Sequence, residues 1–196
     1  MSERRSPVRV SRAKLTGVVA ALACLAFSAV GLKVNEPSAY GYVDGVRNES
    51  VSIERAELTA SEVQVGTRLL DRGQIKAETT GMFVSVRATL AVPGNQRVLL
   101  NRSQLITQDR TYNAWSSTTL SADPGFLETA DLVFEVDPAQ IDDLTLEIWY
   151  GGIVHAYYQR ARIHLGITAE NADQWRQAAA NNSVEPERFP TSEALR

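Results

Sequence analysis

Between Val51 and Ile167 apolar residues recur at every second position, and this period admits one kind of local structure. In MFVSVRATLAV, Val84, Val86, Ala88 and Leu90 fall on one face while Ser85, Arg87 and Thr89 fall on the other. Leu132, Phe134 and Val136 alternate with Val133, Glu135 and Asp137. Leu144, Leu146, Ile148 and Tyr150 alternate with Thr145, Glu147 and Trp149. Ala161, Ile163, Leu165 and Ile167 alternate with Arg160, Arg162, His164 and Gly166. Such alternation belongs to extended strands with one buried and one wet face. Breakers separate the runs at Pro93-Gly94-Asn95, Asp123-Pro124-Gly125, Asp137-Pro138 and Gly151-Gly152. Val51 and Ile53 share one parity and Ala56 and Leu58 the other, so the first strand either switches faces through a bulge or breaks in two. Ser103, Leu105, Thr107 and Tyr112 mark a further strand and loop. The sum is about seven short strands with no helical pattern between them, an all-β antiparallel sandwich, because parallel sheets need crossover helices.

The chain ahead of these strands has a different character. Arg4, Arg5, Arg9, Arg12 and Lys14 lead into an uncharged run from Leu15 to Leu32. As a helix that run spans roughly 27 Å, close to a hydrocarbon core of about 30 Å. The chain nets −3 while its first 14 residues carry five positive charges and one negative, which leaves −7 on the remainder. Basic residues resist translocation, so the expected topology is a single-pass membrane protein. Residues 1–14 form its cytoplasmic basic segment, 15–34 its transmembrane anchor, and the rest is extracytoplasmic. A signal peptide cleaved near Ala26-Phe27-Ser28 or Ser38-Ala39, giving a secreted domain, is the alternative. Cys24 is the one cysteine and lies inside the apolar run, so the domain has no intrachain disulfide.

Residues 35–48, rich in Gly, Pro, Ser and Tyr, are expected to form a linker, and 49–167 the sandwich. After Ile167 the period changes. Thr168 suits an N-cap and NADQWRQAAA favours helix, so a short helix is expected over 168–180. Residues 181–196 carry two prolines and few apolar side chains and are expected to be disordered.

The order of these segments resembles a group of bacterial exported immunoglobulin-like domains of unknown function, often mislabelled with the name of a telomere-binding factor. The likeness runs from Val51 to Ile167. It rests on the apolar strand FVSVRATLAV, the strand and polar loop LITQDRTYNAW, the segment PGFLETADLVFEVDP, and the final pair opened by LTLEI. Pro93-Gly94-Asn95-Gln96 departs from the asparagine and small residues usual in the group, and the C-terminal helix and tail are additions to it. The resemblance implies an immunoglobulin-like sandwich acting as an extracytoplasmic binding or accessory module, and it supplies no catalytic residues.

The residues themselves point the same way. No G-x-S-x-G nucleophile motif occurs, the single S-x-x-K (Ser11 to Lys14) lies in the basic segment ahead of the apolar run, and neither common phosphate-loop spacing is present. His155 and His164 have no cysteine or third histidine beside them, and the acids near strand ends lack the alternation of a calcium loop. No cofactor, metal or catalytic role is therefore expected. An acidic exported domain is a poor match for nucleic acid. The candidate surface is aromatic and basic. Trp149, Tyr157 and Tyr158 flank one predicted hairpin, Arg160 and Arg162 share its wet face, and Trp175 projects from the helix. Such a set serves either a protein partner in the membrane or envelope, or internal packing of the helix over Trp149. A small envelope ligand, bound between the sheets or under the helix by a carrier or sensor, is the competing expectation.

Overall fold

A computed structural model describes residues 41–115, 118–152 and 159–196. The basic segment 1–14, the anchor 15–34, the linker up to residue 40, His155, Tyr157 and Tyr158 lie outside the described residues.

The described chain opens with strand β1 (Gly41–Val46), β2 (Ser50–Ile53), β3 (Ala56–Asp71) and β4 (Gln74–Ala91). Then come β5 (Val98–Leu100), β6 (Arg102–Ile106), β7 (Thr111–Asn113), β8 (Leu120–Ala122) and β9 (Phe126–Val136). A 3₁₀ turn at Pro138–Gln140 leads to β10 (Thr145–Trp149) and β11 (Gln159–His164). Helix α1 (Ala172–Asn181) is followed by β12 (Ser183–Val184) and β13 (Thr191–Ala194). The smaller main sheet runs β1-β11-β10-β6-β7; the larger runs β12-β3-β4-β9-β13, with β2 also on β3. β5 and β8 form a separate two-stranded pair.

The two main sheets close on one core. Leu58, Ala60, Val84, Val86, Leu132 and Phe134 of the larger sheet meet Leu105, Leu146, Ile148, Ala161 and Ile163 of the smaller. Each large side chain buried there contributes about 1.5–3 kcal/mol. The inward positions on β4, β9, β10 and β11 are those the alternation assigns, while Ser85, Val133, Thr145 and Glu147, expected on the wet face, are buried as well. The chain is an all-β sandwich.

Several boundaries are corrected. β1 occupies the stretch expected as linker: it pairs parallel to β11 from Gly41 opposite Gln159 to Val46 opposite His164. An edge strand with half its side chains in solvent shows little apolar period, which is why its sequence resembles a linker. Val51 to Leu58 breaks in two, through a tight turn at Glu54-Arg55 that sets Ile53 opposite Ala56. Thirteen strands stand among the described residues where about seven were expected, partly because β3 and β4 pair as a long hairpin. Arg72 (φ 55°) and Gly73 (φ 72°) close that hairpin in the left-handed geometry that two-residue turns demand. β9 pairs with β4 rather than with β3.

The helix begins at Ala172, four residues later than expected, and Asn171 rather than Thr168 is its N-cap residue. Asn171 Oδ1 accepts from the Thr168 amide at 2.9 Å, and its Nδ2 donates to the Gly166 carbonyl at 2.9 Å. Ala172 and Ala179 enter the core beside β3, while Trp175 packs half-buried against it.

The largest correction concerns 181–196, which is ordered. β12 lies parallel to β3 (Ser183 opposite Arg68, Val184 opposite Leu69), and β13 lies antiparallel to β9 (Thr191 opposite Thr129, Ala194 opposite Phe126). The segment between them thus runs as a strap from one edge of the larger sheet to the other. Gly66 permits its start: a Cβ there would stand 2.8 Å from the Asn182 carbonyl oxygen.

Candidate functional site

The outward face of the smaller sheet is assembled by cross-strand register. In β11, Arg160 and Arg162 point away from the core because Ala161 and Ile163 point into it. Register places Tyr42 and Asp44 of β1 beside them on one side. Glu147 of β10 lies opposite Arg162 on the other, and Trp149 continues that strand. Gln104 of β6 stands across from Glu147.

These neighbours form two stacks. The Arg162 guanidinium carbon sits 3.7 Å from the centre of the Tyr42 ring, and that of Arg160 sits 4.4 Å from the centre of the Trp149 ring. Each cation lies against a π face, which orients a planar guanidinium and leaves its N–H edge for a carboxylate or carbonyl. Between the stacks Glu147 is 3 % exposed despite its place on the nominally wet face. Its carboxylate accepts from Gln104 Nε2 and faces Arg160 Nη1 at 3.6 Å. Buried charge needs such partners. The Arg162 Nε is buried and has no hydrogen-bond partner.

At one end of the face Thr145 Oγ1 donates to the Asp143 carbonyl at 3.1 Å. It therefore accepts from His164 Nδ1 at 3.0 Å, which assigns the proton to that ring nitrogen. A recess of about 220 Å³ opens there among Asp44, Asp143, Arg162 and His164. At the other end Trp149, Arg102 and Asn113 line a shallow depression of about 410 Å³. The arrangement can recognise acidic or planar groups.

The structure thus brings Trp149, Arg160 and Arg162 together and separates them from Trp175. The helix packs on β3 and β4, not on β10, and Trp175 faces Arg47 with 5.9 Å from guanidinium carbon to ring centre. The helix does not cover Trp149. Tyr42, Glu147 and Gln104 belong to the face but were not among the sequence candidates. Glu147 between Leu146 and Ile148, one strand away from a pair of arginines, was the available signal; Tyr42 gave none.

The outer face of the larger sheet is organised differently. Leu69, Phe83, Val133 and Val184 form a second buried cluster, with Trp115 edge-on to Phe83 at 5.3 Å between ring centres. Asp131 binds Arg87 Nε at 3.0 Å and Nη2 at 3.3 Å, and accepts from the Glu187 amide at 2.8 Å. Arg87 also reaches Glu62 at 2.8 Å. The hydrogen bond that Arg87 donates to Asp131 holds the guanidinium pKa above its ordinary value, against the opposing effect of burial. Beneath the strap lies a cavity of about 350 Å³ between Leu69, Val133, Asp131 and residues 186–189.

No family model matches the chain, and no curated protein does. Among solved structures it is similar to an uncharacterized β-sandwich protein from Clostridium difficile 630. The two are 10% identical with a TM-score of 0.40, over 64% of this chain and 95% of that one.

Proposed function

We propose that the chain is a non-enzymatic interaction module, anchored by residues 15–34 with its sandwich on the extracytoplasmic side. There it assists a membrane or envelope protein complex. The observation that supports this reading is the pair of guanidinium–aromatic stacks, Arg160 on Trp149 and Arg162 on Tyr42, on a face the helix leaves uncovered. Aromatic and arginine side chains held flat on a rigid sheet lose little entropy when a partner docks, and they dominate interface energetics. The immunoglobulin-like reading is part of the proposal. It is supported by two facing sheets around one core, while the parallel seat of β1 on β11 and the place of β4 beside β3 stand apart from that order.

The test is recovery of crosslinked partners from intact membranes, comparing the native chain with a Trp149→Ala, Arg162→Glu double variant. Recovery of a defined partner should fall about tenfold, the size expected when two central contacts are lost. Equal recovery from both chains rules the face out. The mass of the mature chain from the same membranes distinguishes a retained anchor from a cleaved signal. A second reading, a carrier or sensor for a small envelope ligand, is supported by the cavity of about 350 Å³ on the opposite side of the sandwich.

A further inference from the structure

The strap is held unevenly along its length. Its start is fixed: Val184 is buried at 0% exposure in the second cluster, and the Thr67 amide donates to the Asn182 carbonyl at 3.3 Å. Its continuation is held almost wholly by main-chain groups. All four residues of β13 are exposed, Phe189 is 68% exposed, and the cavity of about 350 Å³ separates residues 186–189 from Leu69 and Val133. What secures this half is the β13–β9 ladder, the Leu195 amide on the Gly125 carbonyl at 2.8 Å, and the Glu187 amide on buried Asp131. Segments with few buried apolar contacts and an exposed ladder open at the lowest free energy in a fold.

We infer that the edge of β9 over Phe126–Thr129, with the cavity and Asp131 beside it, is a docking groove for an extended segment. Residues 186–195 of the same chain fill it in cis, and the same residues of a second copy fill it in trans. The occupant is fixed by what already sits there. An extended strand satisfies β9, an amide meets Asp131, and neither contact depends on which copy supplies it. Exchange therefore conserves every bond of the closed form, which is the condition for domain swapping. When the segment lifts, an unpaired strand edge and the floor at Leu69 and Val133 become available together, the usual receptor for strand addition. Because Val184 stays anchored, the exchanged piece is short, and the hinge falls at Glu185-Pro186. This inference stands apart from the proposed function, which concerns the other sheet.

The experiment uses full-length chains in which Cys24→Ser removes the native thiol. One carries Phe126→Cys and the other Ala194→Cys, positions paired in the β13–β9 register and both exposed. After mixing and mild oxidation, non-reducing electrophoresis should show a covalent dimer. Its yield should rise with concentration and exceed by about tenfold that of a collision control pairing Ala194→Cys with Asn113→Cys on the other sheet. A chain carrying both Phe126→Cys and Ala194→Cys should close on itself at high dilution. Closure of that chain without dimer from the mixed pair overturns exchange. So does a dimer yield equal to the collision control, and failure of the double variant to close removes the groove itself.

Discussion

The outer faces of the two sheets carry similar residue types and do opposite things with them. On the smaller sheet Arg160 and Arg162 lie on aromatic rings, and among the described residues helix α1 packs on the other sheet. On the larger sheet Arg87 is clamped between Asp131 and Glu62, and the face is roofed by the strap and Trp115. Arg87 is tied to the fold by a bidentate carboxylate, whereas Arg160 and Arg162 are oriented by aromatic rings. The difference separates a structural face from a candidate recognition face more cleanly than charge or exposure does.

The comparison breaks most visibly at Phe83. If the roofed face is a true second core, Phe83→Ala should cost about 3–5 kcal/mol in denaturant unfolding, as a buried aromatic does. A loss under about 1 kcal/mol would mean the strap covers nothing of consequence. Asp131→Ala should come next, at about 2 kcal/mol. It strands a partly exposed Arg87 and leaves the Glu187 amide without its acceptor. Faster hydrogen exchange at Glu187, with β10 unchanged, is the accompanying sign. On the smaller sheet Arg162→Ala should cost no more than about 0.5–1 kcal/mol, the worth of an exposed cation–π contact. A cost matching that of Asp131→Ala would make the two faces alike.

The smallest effect is confined to alkaline solution. Tyr112 points into the core from β7, and burial raises its hydroxyl above the ordinary value near 10. The folded chain therefore keeps a proton that the unfolded chain gives up as pH climbs past about 10, so the stability it contributes is complete below that pH and drains away above it. Tyr112→Phe should flatten the alkaline slope of the unfolding free energy; an unchanged slope assigns it to other groups.

Much of the sandwich was legible because inward positions on β4, β9, β10 and β11 alternate without interruption. Val133 shows the limit. Period two assigned it to the wet face, correctly as geometry, yet it is 4% exposed because the strap lies over that face. Nothing local to Val133 encodes a cover that arrives from fifty residues downstream. β3 was hidden for another reason: its register against β4 shifts between Ala60 and Val63 and again between Gly66 and Arg68, and each shift moves apolar residues to the other parity. The strap itself was illegible because main-chain hydrogen bonds hold it, and composition is silent about those. Of the candidate face, the two arginines and Trp149 were readable from alternation in β10 and β11, while Tyr42 entered through a parallel edge strand that no period betrays.

The parallel ladder between β1 and β11 also decides how the domain answers mechanical load. A pull on the chain ahead of Gly41, directed along β1, meets six residues of ladder in register. Their hydrogen bonds lie across the direction of force, so they yield together in shear rather than one after another like an opening zipper. Neighbouring β11 passes the load to β10 through an antiparallel ladder of its own. The strand most easily mistaken for slack is thus the one positioned to bear tension.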